Sequence, residues 1–194
     1  IHGTAVAAST IDGLVRVMAE AVGVGVKVQP VELSLAPGAS GDISLVATAP
    51  VAGLGAWTVD LQYDPAVVTP TACVGASGSV CNRAYNSTTG RFAGASPAGL
   101  TGAPSLGTVT FQAVGAGGTS TALHPVLVTF VDPASQPVTG TTADGTASIT
   151  IARTLSFFKT PPRAAHDTPF GIQPEVDVRE NGLLVSAAGS VTLT

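Results

Sequence analysis

Apolar and polar residues alternate in short runs along most of this chain. Trp57, Val59, Leu61 and Tyr63 interleave with Thr58, Asp60 and Gln62, the two-residue period of a strand with one face buried. Ile43, Leu45 and Ala47 repeat the pattern, Val109, Phe111 and Ala113 repeat it again, and Ile149 with Ile151 ends the series. Val126–Val131 is apolar towards both sides, as in a central strand covered on both faces. Gly, Pro and Asp clusters separate these runs, so residues 28–152 read as a β-sandwich or barrel.

Both flanks depart from that rhythm. From Ile11 the apolar residues fall at Ile11, Leu14, Val15, Met18 and Val22, the spacing of one helical face, while Asp12, Arg16 and Glu20 stand four apart on another. Ser9 or Thr10 can cap the start and Gly23 can stop it, which predicts a helix over 10–22 within an N-terminal segment 1–27. A helix that short is marginal alone. Its stripe must therefore pack on the sandwich or on a partner, and Leu14, Val15, Met18 and Val22 are candidate assembly contacts. In residues 153–194, Lys159-Thr160-Pro161-Pro162-Arg163 reads as a linker or edge segment. Phe170, Ile172, Pro174, Val176 and Val178 then alternate up to an Asn181-Gly182 turn, and Val191-Thr192-Leu193 follows. About forty residues make only part of a sandwich, with open edges and an uncovered apolar face. Phe170, Ile172, Val176 and Val178 are accordingly further candidate assembly contacts, as donor strands or as half of a larger domain.

Composition narrows the class of protein. Charged residues are 10% of the chain, against roughly 25% in an ordinary soluble domain, and hydrophobic residues are 45%. That excludes a disordered chain, and the absence of heptads excludes a coiled coil. A net charge of -4 with only 8 Lys and Arg lacks the basic footprint that nucleic acid demands. No run of 18 apolar residues occurs, so no helix is expected to span a membrane. The chain opens at Ile1, without Met or a basic leader, and reads as a processed or excised piece.

Cysteine chemistry suggests a compartment. Cys73 and Cys81 have seven residues between them, several of them small, and no further ligands at zinc spacing. The economical reading is a disulfide closing a flexible loop, the alternative two free thiols. The disulfide favours an extracellular or cell-surface location. Asn86-Ser87-Thr88 is an acceptor motif for N-glycosylation.

Nothing in the sequence points to catalysis or to a cofactor. His2, His124 and His166 stand in unrelated contexts, and no Gly-x-Ser-x-Gly elbow occurs. Asp60 and Asp64 are the nearest pair of carboxylates, but Asp64-Pro65 has an ordinary turn role. Asp42, Asp132 and Asp144 form no calcium ladder, and Gly115-Ala116-Gly117-Gly118 reads as a hairpin turn rather than a phosphate loop.

Four motifs carry a resemblance. The run from Gly53 to Pro65, GLGAWTVDLQYDP, resembles the cohesin pattern in which a strand ends in Tyr-Asp-Pro, and Val67-Val68 stands where a hydrophobic pair usually follows. Arg91–Ser96 (RFAGAS), Leu106–Ala113 (LGTVTFQA) and Gly145–Ile151 (GTASITI) resemble later strands of the same family, in the same order. The resemblance implies a jelly-roll sandwich related to cellulose-binding modules, secreted by bacteria and built for binding. The Cys73–Cys81 loop is an addition to that pattern. TPFGIQPEVDVRENG, from Thr168 to Gly182, with the later SVTLT, resembles the opening of bacterial Ig-like repeats. The expected architecture is all-β: a cohesin-like sandwich with a short N-terminal helix and a partial Ig-like segment.

Three functions fit such a chain. The first is a non-enzymatic surface filament, surface-layer or adhesin subunit, whose partners are other copies of itself or another surface protein. The second is a cohesin-type module that recognises a dockerin-like partner. The third is a carbohydrate-binding module for polysaccharide, disfavoured because its aromatics are few and Trp57 and Tyr63 lie on the face expected to be buried.

Overall fold

In a computed structural model of the chain, residues 8–11, 14–17, 24–159, 175–180 and 182–184 are described. Two sheets stack into a sandwich. The first holds five strands in the order β12 (Thr141–Ala143), β3 (Gly25–Gln29), β5 (Ser40–Thr48), β10 (Ser105–Ala113), β7 (Val68–Gly75). The second holds six: β4 (Glu32–Leu35), β13 (Gly145–Ile149), β11 (Ser120–Val131), β6 (Leu54–Gln62), β9 (Thr89–Leu100), β8 (Ser79–Asn86). Pairing is antiparallel except for β12 with β3 and β13 with β4. Those exceptions have one cause. The chain changes sheets between β3 and β4 and again between β12 and β13, so these segments run side by side and in the same direction in both sheets.

Alternation builds the core. Trp57, Val59 and Leu61 of β6 point inward, with Tyr63 just beyond, and meet Ile43, Leu45, Val109 and Phe111 from the opposite sheet in one hydrophobic cluster. The rings of Tyr63 and Phe111 meet edge to face, with centroids 5.2 Å apart at 66°. The family-like motifs acquire physical reasons here. Gly94 of RFAGAS lies directly on the indole of Trp57, where a Cβ would stand 2.5 Å from Cζ2. Any side chain at that position would have to displace the largest residue of the core. The indole Nε1 donates to Ser79 Oγ at 2.9 Å, so the buried ring keeps its hydrogen bond. Asp64 Oδ1 accepts from Ala66 N at 2.8 Å, which confirms the turn role expected for Asp64-Pro65.

The two sides of the sandwich are closed differently. On one, the sheet-switching segments tie both sheets together through backbone hydrogen bonds. On the other, β7 and β8 are the outer strands of their sheets, and the Cys73–Cys81 disulfide joins them with Cα atoms 5.9 Å apart. The stretch expected to be a flexible loop is therefore two strands and a tight turn, with Ser77 and Gly78 at positive φ. Both cysteines pack against the core. They occupy inward positions that an apolar residue would normally mark, which hid the alternation. Arg83 adds a second tie, its Nη1 donating to the carbonyl of Thr71 across the gap.

Three other expectations need correction. The predicted helix over 10–22 is not found among the described residues: β1 (Ala8–Ile11) and β2 (Leu14–Val17) pair antiparallel, Ala8 with Val17 and Ile11 with Leu14. The sequence held the reason, because Asp12-Gly13 between the apolar Ile11 and Leu14 is a strong hairpin signal, and Gly costs a helix interior about 1 kcal/mol. A four-residue strand carries no helical stripe, so Leu14 and Val15 lose that basis as assembly contacts, while Met18 and Val22 lie outside the described residues. The second correction concerns β11, which is central in its sheet but covered on one face only, with Val128 50% exposed. Last, the Gly115–Gly118 segment carries the chain from β10 in one sheet to β11 in the other and is no hairpin turn.

Towards the C-terminus, β14 (Arg153–Lys159), β15 (Glu175–Glu180) and β16 (Leu183–Leu184) form a separate antiparallel sheet. Val176 and Val178 fall on β15, and Phe170 and Ile172 lie outside the described residues. Gly182, at φ 83°, sits in the turn between β15 and β16, where the Asn-Gly pair is expected. Arg153 pairs with Glu180 across the ladder at 2.7 Å.

Candidate functional site

The outer faces of the two sheets are what this fold presents to other molecules. On β11, β6, β9 and β8, the residues opposite in register to the buried set are Val126, Thr58, Asp60, Arg91, Ala93, Val80 and Asn82. Apart from Arg91, these side chains are short. At its centre Asp60 and Arg91 stand directly across from each other on neighbouring strands. The guanidinium Nε and Nη2 donate to the two carboxylate oxygens at 2.6 and 2.7 Å, a two-point charge-assisted pair. Tyr85 lies under the same guanidinium, whose carbon is 3.7 Å from the ring centroid. The bonded carboxylate, chiefly, holds the Arg91 pKa above its ordinary value. Arg91 is thus a fixed, neutralised feature, and apolar surface flanks it at Val80, 71% exposed, and Val128.

At the end of the same face His124 Nδ1 meets Asp144 Oδ1 at 2.6 Å, both side chains being about half exposed. Of the other histidines, His2 and His166 lie outside the described residues. Among the described residues no three His, Cys, Asp or Glu side chains gather as metal ligands, and no helix is long and apolar enough to cross a membrane. Asp132 accepts the backbone N–H of Gln136 at 2.8 Å, a turn role. Asp60 and Asp64, considered as an acid–base pair, are engaged separately, one with Arg91 and the other with its own turn.

Trp57 and Tyr63 are buried, as the alternation predicts. Among the described residues Tyr85 is an exposed aromatic ring that sequence reasoning missed, and one of its faces is occupied by Arg91. A ring capped in this way is a poor platform for a sugar. No signal in a single sequence pairs Tyr85 with Arg91, because a break in register between Asn82 and Asn86 brings them together. Asn86 lies at the far end of β8, exposed, in the turn to β9.

The opposite outer face, on β3, β5, β10 and β7, mixes hydroxyls and short chains (Ser44, Thr48, Thr108, Thr110, Thr69 and Ala72) with the charged Lys27 and Asp42 and with Val46 and Val74, the last of them exposed. Ser44 and Thr108 hydrogen-bond through their hydroxyls at 3.1 Å.

No protein-family profile matches the sequence and no curated protein is similar to it. Solved structures are. The sixth cohesin of scaffoldin B from Acetivibrio cellulolyticus, solved with a dockerin, superposes with a TM-score of 0.56 at 13% identity, over 66% of this chain and 99% of that one. A non-cellulosomal cohesin from the archaeon Archaeoglobus fulgidus gives 0.57 at 18% identity, over 66% and 91%. The cohesin of an OlpC cohesin–dockerin complex from Clostridium thermocellum gives 0.55 at 15% identity, over 69% and 98%. Each superposition takes in nearly the whole of a cohesin module. What the sequence motifs suggested, the architecture bears out: the sandwich in this chain is a cohesin-like fold.

Proposed function

We propose that this chain is a non-enzymatic, extracellular protein-recognition module that docks a partner on the outer face of β11, β6, β9 and β8. The observation that carries the reading is the make-up of that face: short side chains around one charge pair already neutralised, with Val80 and Val128 exposed on it. A partner can cover it without stripping water from an unpaired charge, the step that makes buried ions costly at interfaces. Two of the similar structures are complexes of a cohesin with a dockerin, so a dockerin-like module is the first partner to test. The disulfide supports an oxidising, extracellular setting.

Purified dockerin modules are titrated calorimetrically against the wild-type chain and against Val80→Arg, Thr58→Arg and Thr108→Arg. Binding is expected for the wild type and for Thr108→Arg, which alters the other sheet, and at least a tenfold loss for the first two. Equal affinities for all four proteins overturn the choice of face. Failure of every dockerin to bind shifts weight to the second reading.

That second reading is assembly with copies of itself, favoured by the three-stranded sheet of β14, β15 and β16. Leu155, Leu183 and Leu184 are 63%, 74% and 62% exposed there, and Val176 and Val178 lie on its middle strand. Open sheet edges with uncovered leucines are templates for another chain. Light scattering of the chain with and without residues 153–194 tests it. A concentration-dependent mass lost on truncation is expected, and a monomer in both cases overturns it.

A further inference from the structure

We infer that Asn86 is an N-glycosylation site presented by the folded protein, taking an oligosaccharide from a lipid-linked donor. The proposal is independent of the docking reading. Asn86-Ser87-Thr88 is the only Asn-x-Ser/Thr triplet in the chain: Asn82 is followed by Arg83-Ala84 and Asn181 by Gly182-Leu183. Its position is specific. Asn86 pairs with Thr89, so the triplet forms the tip of the β8–β9 hairpin, and Asn86, Ser87 and Thr88 are all exposed. Below the tip the chain is anchored, with Thr89 buried and the carbonyl of Thr88 accepting from Tyr63 N at 3.0 Å. The acceptor is therefore held outward on a firm base.

The hydrogen bonds at the tip leave one group unexplained. Asn86 Oδ1 accepts from Thr88 N at 2.9 Å and from the Thr88 hydroxyl at 3.2 Å. Both bonds use the oxygen, and an aspartate would make them equally well in such a turn. What aspartate lacks is the amide nitrogen, and Asn86 Nδ2 makes no hydrogen bond among the described residues. In the transfer Nδ2 attacks the anomeric carbon of a sugar carried on a polyprenyl phosphate or diphosphate. The N–C bond forms, the bond from that carbon to the phosphate oxygen breaks, and the lipid phosphate leaves with the electron pair. One Nδ2 proton passes to a base of the host's oligosaccharyltransferase.

The location suits both the transferase and the protein. Val80 pairs with Ala93 and Asn86 with Thr89, four positions along β9 and roughly 13 Å at strand spacing, so a glycan at Asn86 stands at the end of the docking face, two positions along β9 from Arg91. It also adds bulk to the end of an open edge strand, a surface that otherwise invites pairing with another chain.

The test uses the chain exported by its own organism and the same chain made in a cytoplasm that lacks the transferase. Mass spectrometry of the intact protein and of the peptide spanning Asn86 is expected to show a whole oligosaccharide on the exported form alone. It should be lost in Asn86→Gln and Thr88→Ala and retained in Thr88→Ser. An unmodified Asn86 in the exported protein overturns the proposal. A second arm incubates the folded, disulfide-intact chain with an oligosaccharyltransferase and a lipid-linked oligosaccharide. Modification of the folded chain is expected, and modification only after unfolding overturns presentation by the fold. Asn86→Asp should melt at the wild-type temperature, and a large drop would show that Nδ2 serves the fold rather than the transferase.

Discussion

The two outer faces of this sandwich grow from one rule and end in different chemistry. Both sheets alternate, and both turn their large apolar residues inward. The face on β3, β5, β10 and β7 carries hydroxyls, with Ser44 and Thr108 bonded to each other, the charges of Lys27 and Asp42, and an exposed Val74 on its outer strand. The face on β11, β6, β9 and β8 carries one rigid charge pair with a tyrosine beneath it and exposed valines beside it. A partner on the first face would have to cover Lys27 and Asp42, which form no ion pair among the described residues. Exposed valines around a neutralised pair gain hydrophobic burial at small electrostatic cost. The inward residues decide that the chain folds as a sandwich, and the outward residues decide which side of it another molecule has reason to cover.

The sharpest break of that division lies within a single strand. Trp57→Ala should cost about 3–5 kcal/mol in denaturant unfolding, because the indole fills the core against Gly94 and its Nε1–H is bonded to Ser79. Thr58→Ala, one residue on and facing outward, should cost under about 1 kcal/mol. Equal losses would mean that inner and outer positions on β6 are not distinct.

Next in size is the disulfide. Replacing Cys73 and Cys81 with serine opens a loop of about nine residues, for which chain entropy gives roughly 2.6 kcal/mol. The expected result is a lower melting temperature, with mass spectrometry of the wild type showing no alkylation unless reductant is added. Retention of full stability would mean that the backbone contacts of β7 and β8 already hold that side shut.

How much of this was visible in the sequence differs from place to place. Wherever a strand is half buried and its inward residues are large, as at Trp57, Val59 and Leu61, the two-residue period reveals it directly. The hairpin at the N-terminus was misread because helical spacing at Ile11, Leu14, Val15 and Met18 outweighed Asp12-Gly13. Two four-residue strands are too short for their own period to compete. Edge strands β7 and β8 were missed because cysteine stood at their inward positions. The centre of the candidate site lay in the strand motifs at Asp60 and Arg91, but their pairing depends on the register of β6 against β9, a contact between residues far apart in the chain. Tyr85 was less visible still, since an irregularity in β8 places it.

The faces themselves are compared by a matched pair of substitutions. Arg91→Met keeps the length of the side chain but leaves Asp60, only 14% exposed, without its cation, and about 1–2 kcal/mol of stability should be lost. Thr108→Val removes one hydroxyl bond on the other face and should change stability by about 0.5 kcal/mol or less. Chemical unfolding of both variants gives the difference. A larger effect at Thr108 would make the hydroxyl face the more highly organised of the two.

The smallest effect concerns what lies between the faces. Tyr63 follows β6 in one sheet and meets Phe111 of β10 in the other, so its ring bridges the two sheets, and burial holds its pKa above the ordinary 10.0. The sign follows from where the proton is bound. Below the ordinary value the phenol is neutral whether the chain is folded or unfolded, and its packing contributes in full. As pH rises past that value the unfolded chain releases the proton first, so stability falls until the folded state also ionises. Wild-type melting temperature should therefore decline faster above pH 10 than that of Tyr63→Phe. At neutral pH the two proteins should agree to within about 1.5 kcal/mol, because the change is nearly isosteric. Parallel alkaline declines would show that Tyr63 is solvated in the folded protein. In that case the contact between the sheets at Phe111 is looser than their packing implies, and the outer faces are not backed by one continuous core.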